Sequence, residues 1–153
     1  LDDGEDIVVL DTRNDYETRV GMFDDAVELD IPSFREFPDA IETLPDEYRS
    51  KTVVMYCTGG IRCEKASAVM LKAGFEDVRQ LEGGILGYFD ECGGTHWSGD
   101  CFVFDQRVAL DHQLEETEVE MCFRCREPLS VEEQKSERYV VNQHCPYCFE
   151  DGC

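Results

Sequence analysis

A cysteine at the end of an apolar segment is the residue best suited to chemistry in this sequence. Residues 52–56, Thr-Val-Val-Met-Tyr, lack polar alternation, which is typical of a strand covered on both faces. Cys57 follows this segment, and the apolar spacing over 63–73 predicts a helix after it. Backbone N–H groups in a turn between a strand and a helix converge on one point and favour an anion there. The pattern predicts a reactive thiolate; the alternative is a buried cysteine that acts as a small apolar residue.

A glycine-rich turn separates Cys57 from Arg62 and favours the reactive interpretation. The turn consists of Thr58, Gly59, Gly60 and Ile61. Each unit by which the pKa of a thiol is lowered requires about 1.4 kcal/mol of preferential interaction with the thiolate. We expect inward-facing amides and the charge of Arg62 to lower the pKa of Cys57 by about two units.

Four further cysteines form two pairs at the spacing of a zinc ribbon. Two residues separate the members of each pair, and nineteen residues separate the pairs, which are Cys122 and Cys125, then Cys145 and Cys148. Four thiolates complete a tetrahedral structural zinc site, and the polar segment between the pairs needs a metal to stay folded. His144 is an alternative to one sulfur. Two disulfides are a second alternative, disfavoured by the odd total of nine cysteines and by the reactive interpretation of Cys57.

Several segments resemble the rhodanese family over roughly residues 5–92. Asp11-Thr12-Arg13, which follows an apolar strand, is similar to the family's Asp-x-Arg turn, and Gly83-Gly84 is similar to the turn after its last core strand. The Cys57 loop is similar to the family's active-site loop. The resemblance implies that Cys57 carries a persulfide or another covalent intermediate held by loop amides, and that Arg62 is the loop arginine.

The length of this loop separates two related chemistries. Four residues lie between Cys57 and Arg62, whereas the dual-specificity phosphatases of the same fold are known for five. The tighter loop suits a sulfur or oxygen on the thiolate better than a phosphate. Cys63 stands where most rhodaneses have Ser or Thr. It is either a replacement of similar size or a resolving thiol that forms a disulfide with an oxidised Cys57.

The order of elements after the loop resembles one subgroup, the bacterial rhodanese-like, oxygen-dependent tRNA uridine hydroxylases. An aromatic segment at 102–104 leads from the rhodanese part to the cysteine pairs. The resemblance implies formation of 5-hydroxyuridine at the wobble position of tRNA, with Cys57 and Arg62 as catalytic residues. We expect Cys63 to be a third catalytic residue, and the cysteine spacing predicts Zn²⁺ as a structural cofactor. A sulfurtransferase that moves a persulfide sulfur from Cys57 to an acceptor is the alternative. A non-catalytic, zinc-stapled interaction module ranks third.

Alternating strands and helices predict an α/β fold with a mostly parallel central sheet flanked by helices. The expected strands are 7–10, 26–30, 52–57 and 78–81, and the expected helices are 14–19, 33–43, 63–73 and 84–91. The predicted organisation is a rhodanese-like catalytic domain over 1–95, a connecting segment packed on it over 96–120, and a small zinc-ribbon-like, cysteine-rich segment over 121–153. The resembling family has a further N-terminal domain and this sequence starts at Leu1, so we expect a fragment.

The chain is strongly acidic, with a formal charge of −21, of which −14 falls within 1–100 and −7 within 101–153. Affinity for nucleic acid comes largely from neutralised phosphates, so the expectation of tRNA as partner rests on the resemblance and not on charge. No segment is long enough to span a membrane and no secretory signal begins the sequence, which predicts the cytoplasm. The oligomeric state stays open.

Overall fold

Strands and helices alternate through most of the chain, of which the computed structural model describes residues 6–150. In chain order the elements are β1 (Ile7–Asp11), α1 (Asp15–Val20), β2 (Gly21–Phe23), α2 (Phe37–Ala40), β3 (Thr52–Tyr56), α3 (Ile61–Lys72), β4 (Asp77–Gln80), α4 (Gly84–Cys92), β5 (Trp97–Gly99), β6 (Cys101–Phe102), β7 (Ala109–Leu110), β8 (Glu120–Met121), β9 (Pro128–Leu129) and α5 (Val131–Gln134). Short 3₁₀ turns lie at Phe34–Glu36, Ile41–Thr43 and Asp46–Ser50.

A parallel sheet of three strands, in the order β1-β3-β4, forms the centre of the fold. Val53 of β3 pairs with Val8 of β1 on one side and with Val78 of β4 on the other. Parallel neighbours need long crossover connections, and α3 supplies the one between β3 and β4. The predicted α/β fold with a mostly parallel central sheet is confirmed.

Helices cover both faces of this sheet. On one face Leu10 and Met55 are fully buried with Met70 of α3. On the other face Tyr56 packs with Phe89 of α4. Alternate side chains of a strand point to opposite faces, so each strand contributes to both cores. The C-terminal end of β3 is thereby fixed where the cysteine loop begins.

The strand predicted over 26–30 is wrong in extent, since only Val27 pairs, in a single parallel bridge to Leu10. Asp25 and Asp30 on either side of it have left-handed backbones, with φ of 58° and 50°. Extended strands need negative φ, so the pairing stops there. The apolar residues of this segment nevertheless pack against the core, as their alternation predicts.

The helix predicted over 33–43 is divided into a 3₁₀ turn, the short helix α2 and a second 3₁₀ turn. Pro38 lies in the first turn of α2. Proline has no N–H to donate to the carbonyl of Phe34, so one continuous helix cannot run through this position. Phe37 and Ile41 still reach the core and are buried.

The rest of the chain adds three antiparallel pairs of short strands. β5 pairs with β2, β6 with β7 and β8 with β9. Phe102 and Val103 are buried, and the ring of Phe102 meets that of Tyr16 in α1 edge-on, with centroids 5.4 Å apart. Within residues 6–150, no helix combines the length and the apolar character that crossing a membrane requires.

Candidate active-site loop and metal centre

Cys57 lies directly after β3, in a loop that ends where α3 begins, and the residue is only 2% exposed. The amide of Gly60 donates to its Sγ at 3.1 Å. α3 starts at Ile61, two residues before the predicted start, so the amides of Arg62 and Cys63 belong to its first turn. Amides of a first turn have no acceptor within the helix. These two donate to the Cys57 sulfur, which confirms the predicted convergence of N–H groups.

Two glycines give the loop its shape. Gly60 adopts φ 88°, a left-handed conformation that other residues resist. Gly84, at the start of α4, has φ 64°, and a Cβ there would lie 2.6 Å from the carbonyl oxygens of Cys57 and Thr58. The same close approach lets the amide of Ile85 donate to the Cys57 carbonyl at 3.0 Å. The first turn of α4 therefore holds the loop in place.

A buried carboxylate orients Arg62. Both Nη atoms of Arg62 donate to the carboxylate of Glu17, with Nη2 2.7 Å from Oε1. Glu17 lies on α1, has no exposed surface, and also accepts from the amide of Asn14 at 3.0 Å in the capping box of that helix. A two-bond arginine–carboxylate pair fixes geometry as well as charge. Arg62 therefore acts on Cys57 as a fixed positive charge.

The thiol of Cys63 has the largest influence on the pKa of Cys57. Cys63 is fully buried on α3, and its S–H donates to the Cys57 sulfur. This bond, followed by the amides of Cys63 and Arg62 and the charge of Arg62, holds the pKa of Cys57 well below its usual range although burial opposes the shift. The same bond raises the pKa of Cys63, which therefore keeps its proton. Both thiols are free.

A buried ion pair lies under the loop, in the Asp-x-Arg turn after β1. Arg13 donates from Nε and Nη2 to Asp11 at 2.9 and 2.6 Å, and neither side chain is exposed. Arg13 also donates to the carbonyl oxygens of Gly21 at 2.6 Å and Glu17 at 3.4 Å. These bonds tie the middle and the C-terminal end of α1 to the turn after β1, and they thereby position the carboxylate that holds the loop arginine.

An aromatic turn between β6 and β7 lies beside the loop. Thr58 Oγ1 donates to the carbonyl oxygen of Phe102 at 3.5 Å. The ring of Phe104 meets the buried ring of Phe102 edge-on, with centroids 5.0 Å apart. Cζ of Arg62 lies 5.5 Å from the centroid of Phe104. Arg62 therefore contacts both a carboxylate and an aromatic ring.

The sulfurs of the two cysteine pairs converge on one centre. Those of Cys122, Cys125, Cys145 and Cys148 lie within 4.8 Å of one another. The shortest separations are 3.5 Å for Cys125 and Cys145, and 3.8 Å for Cys148 with either Cys122 or Cys145. Sulfurs placed tetrahedrally about 2.3 Å from an ion lie about 3.8 Å apart, so the donor set fits a four-coordinate metal. All four thiols are free, against the disulfide alternative.

His144 lies apart from these sulfurs. Its Nδ1 is 2.9 Å from the carbonyl oxygen of Arg138, and its ring packs 4.9 Å from that of Phe149. The four residues that converge are the cysteines, so the alternative in which His144 replaces a sulfur is not supported by the geometry.

The candidate metal segment, which carries the four paired cysteines, contacts the sheet domain through Arg19 of α1. Arg19 Nη2 donates to the carboxylate of Glu127 at 2.7 Å, and its Cζ lies 4.2 Å from the ring centroid of Tyr147. Tyr147 stands between the last two metal-binding cysteines. α1 therefore touches the cysteine loop through Glu17 and the metal segment through Arg19.

The fold and the loop agree with a family model. The model of the rhodanese-like domain matches residues 1–91, which include the parallel sheet and the whole Cys57 loop. The chain belongs to the rhodanese-like domain family. The predicted family resemblance over roughly residues 5–92 is thereby confirmed.

Similar proteins extend this result beyond the rhodanese domain. A protein of Cupriavidus necator named tRNA uridine(34) hydroxylase is 55% identical over 147 residues, which are 96% of this chain and 52% of that protein. A protein of the same name from Paraburkholderia xenovorans is 51% identical over 151 residues, 99% and 53% of the two chains. The chain spans about half the length of the curated relatives it matches. A Bacillus halodurans protein of known crystal structure is 27% identical, with a TM-score of 0.50 over 64% of this chain and 67% of that one.

Two residues at the loop have contacts that the sequence did not predict. Glu17 lies 45 residues before Arg62, and its contact with that arginine appears only when α1 is set beside the loop. Phe104 belongs to a segment that predicts packing, yet its ring is 65% exposed beside Arg62. The sequence offered two signs of these contacts. One is an acidic residue shortly after the Asp-x-Arg turn, and the other is an aromatic residue directly after Phe102 and Val103.

Proposed function

We propose that this chain carries the catalytic site of an enzyme that hydroxylates the wobble uridine of tRNA to 5-hydroxyuridine, with Cys57 as the catalytic thiolate. One observation carries the proposal. Relatives named tRNA uridine(34) hydroxylase match 147 residues at 55% identity, and that match continues past residue 91, where the rhodanese model ends. A match over 147 of 153 residues includes the whole aromatic turn and at least three of the four paired cysteines, which sulfur transfer by a rhodanese domain does not require.

The loop geometry supports a role for each predicted site residue. Cys57 is the nucleophile, since the thiolate is the reactive form of cysteine and its pKa is lowered here. Arg62 balances its charge, and Cys63 donates to it and is also placed to act as a resolving thiol. Among the turn residues Thr58, Gly59, Gly60 and Ile61, Gly60 donates its amide to the Cys57 sulfur, and the other three complete the turn that leads into α3. The proposed reaction begins when the Cys57 thiolate adds to C6 of uracil, which makes C5 electron-rich. C5 then takes one oxygen atom from dioxygen, and the second atom leaves as water with two electrons and two protons from an external reductant. Loss of the C5 proton and cleavage of the S–C6 bond restore the double bond and the thiolate.

The proposed metal is one structural zinc ion, held by Cys122, Cys125, Cys145 and Cys148. Four thiolates at these separations suit Zn²⁺ and leave no open coordination position, which favours a structural role. We further propose that 96–120 connects a catalytic domain over 1–95 to a zinc-ribbon-like segment over 121–153.

The proposed partner is tRNA, which the protein would meet in the cytoplasm. A net charge of −21 opposes contact with phosphates, so positive charge must be supplied locally. The arginines of the metal segment, Arg124, Arg126 and Arg138, are candidates for that contact.

Nucleoside mass spectrometry of tRNA from a deletion strain tests the proposal. We expect 5-hydroxyuridine and its derivatives to disappear on deletion, to return with the wild-type gene, and to stay absent with Cys57→Ser. Cys92→Ser is the matched control, because Cys92 is exposed and lies outside the loop. Loss of thiolated uridine instead would favour the sulfurtransferase alternative, and an unchanged nucleoside profile would contradict both.

A further inference from the structure

Two large apolar side chains are exposed at the cysteine loop. Ile61, the first residue of α3, is 79% exposed, and Phe104 is 65% exposed. Scattered apolar residues on a surface are ordinary. These two differ because each adjoins Arg62: Ile61 precedes it in the chain, and the ring of Phe104 lies 5.5 Å from its Cζ.

Contacts on its buried side fix the position of Phe104. Its ring meets that of Phe102, which is 2% exposed, and the Phe102 carbonyl accepts from Thr58 of the loop. A rigid aromatic ring with solvent on its other side is a stacking surface for a planar ligand, at little entropic cost.

Ile61 also lines a cleft of about 350 Å³ beside the loop. The other lining residues are Gly59, Gly60, Glu64, Gln80, Leu81, Glu82 and Gly83. Two of them are carboxylates and none is a cation. The cleft is large enough for one planar ring, and its charge opposes an anion.

The arginines nearest the loop mouth already have carboxylate partners. Arg62 gives both Nη groups to Glu17, and Arg107, in the turn after Phe104, pairs with Asp105 at 2.6 Å. An anionic sulfur donor such as thiosulfate needs a free positive charge beside the sulfur. A neutral aromatic ring needs an apolar face and hydrogen-bond partners, which this mouth supplies.

We propose that Phe104 and Ile61 form the binding site for the uracil ring, with the ring stacked on Phe104 at the mouth of the Cys57 loop. The proposal rests on the proposed function and specifies it: the site selects a neutral pyrimidine base over an anionic sulfur donor.

Protection of Cys57 from iodoacetamide tests this site without requiring turnover. The probe is an RNA hairpin with uridine at the wobble position, and its partner is the same hairpin with an abasic residue there. The rate of Cys57 labelling without RNA is measured first for each variant. If the base stacks on Phe104, half-protection of Cys57 in Phe104→Ala should require about 5- to 100-fold more uridine hairpin than in the wild type. The concentration of abasic hairpin required should change little. Phe104→Tyr should restore protection.

Leu71→Ala is the matched control, since Leu71 is a 54% exposed apolar residue at the opposite end of α3. In this variant the uridine hairpin should protect Cys57 at the same concentration as in the wild type. Equal protection by the two hairpins, an unaffected Phe104→Ala, or protection by thiosulfate at lower concentration than by the uridine hairpin would each overturn the site. If the stacking pattern holds while deletion leaves 5-hydroxyuridine in tRNA, the proposed hydroxylation fails and the base site stands.

Discussion

The two cysteine sites of this molecule differ in which part depends on the other: at one the fold positions the sulfur, and at the other the sulfurs support the fold. Cys57 is one thiolate positioned by an apolar core, by the amides of α3 and by a clamp from α4. In the C-terminal segment, by contrast, Cys122 and Cys145 are themselves two of the three buried residues of the local core, with Leu129 as the third. At the first site the fold creates the thiolate. At the second, where the local core has one buried apolar residue besides the cysteines, we expect four sulfurs and a bound metal to create the fold.

Removal of the metal should therefore have the largest effect of any change. With Cys125→Ala or a strong chelator, we expect loss of about one zinc per chain and unfolding beyond about residue 115, because structural zinc contributes about 10–16 kcal/mol. The rhodanese part should stay folded. Metal analysis with hydrogen exchange measures both outcomes, and Cys92→Ala serves as the control. Retained protection of 121–150 in the metal-free protein would contradict this division.

Replacement of Arg13 should have the opposite effect to metal removal: the rhodanese part should lose stability, and the C-terminal segment should keep its metal. Arg13→Met leaves Asp11 buried without its partner, which costs about 3–5 kcal/mol. Asp105-Gln106-Arg107 offers a matched control, since it repeats the same Asp-x-Arg contact with both side chains about half exposed. Arg107→Met should cost far less in a denaturant titration, because solvent screens the exposed pair. Equal costs would show that burial of the pair is irrelevant.

Gly84→Ala should displace the cysteine loop, whereas Gly93→Ala should not. Both glycines have similar positive φ, 64° and 66°, but a Cβ on Gly84 meets the Cys57 carbonyl and one on Gly93 meets nothing within 4 Å. Backbone strain from the positive φ lowers the stability of both variants, and Gly93, with ψ of −148°, lies in a region open almost only to glycine. Only Gly84→Ala should also lower the labelling rate of Cys57 and the activity. If both variants label like the wild type, the α4 clamp does not position the thiolate.

Substitution of Cys63 should have the smallest and most local effect, a change in the pKa of Cys57. Cys63→Ala removes the main donor to the Cys57 sulfur and should raise the pKa of Cys57 by about one to two units, the value of a hydrogen bond to a charged group. Cys63→Ser, which keeps a donor, should shift it less. The pH dependence of iodoacetamide labelling reports the shift; identical profiles for the three proteins would assign the low pKa to the amides alone.

The same shift sets a pH dependence of stability with a defined sign. Cys57 ionises more readily in the folded chain than in the unfolded chain, where a thiol titrates near about 8.5. Its contribution to stability is therefore complete above that pH and is lost as the pH falls toward the folded pKa. Cys63→Ala should flatten this dependence between those limits, as denaturant titrations across the range would measure.

The sequence predicted what is encoded locally and missed what depends on partners far along the chain. The loop from Cys57 to Arg62, the cysteine pairs and the parallel sheet each follow from a contiguous pattern. The prediction of one helix over 33–43 was wrong. Its apolar residues have helical spacing, but Pro38 interrupts the backbone hydrogen bonds. The contact of Arg62 with Glu17 spans 45 residues, and its contact with Phe104 spans 42, so both depend on packing that no local pattern contains.

Trp97, the single tryptophan of the chain, makes the contrast between the two regions optically accessible. It packs edge-on against Phe23 and Phe89, and the guanidinium of Arg13 lies 5.4 Å from its ring. Its fluorescence is therefore an intrinsic label for the rhodanese core and is silent about the cysteine pairs. Thiolate-to-metal absorbance in a cobalt-substituted sample labels the other region. One sample thus yields two separate signals, and the order in which they change gives the order in which the two regions come apart.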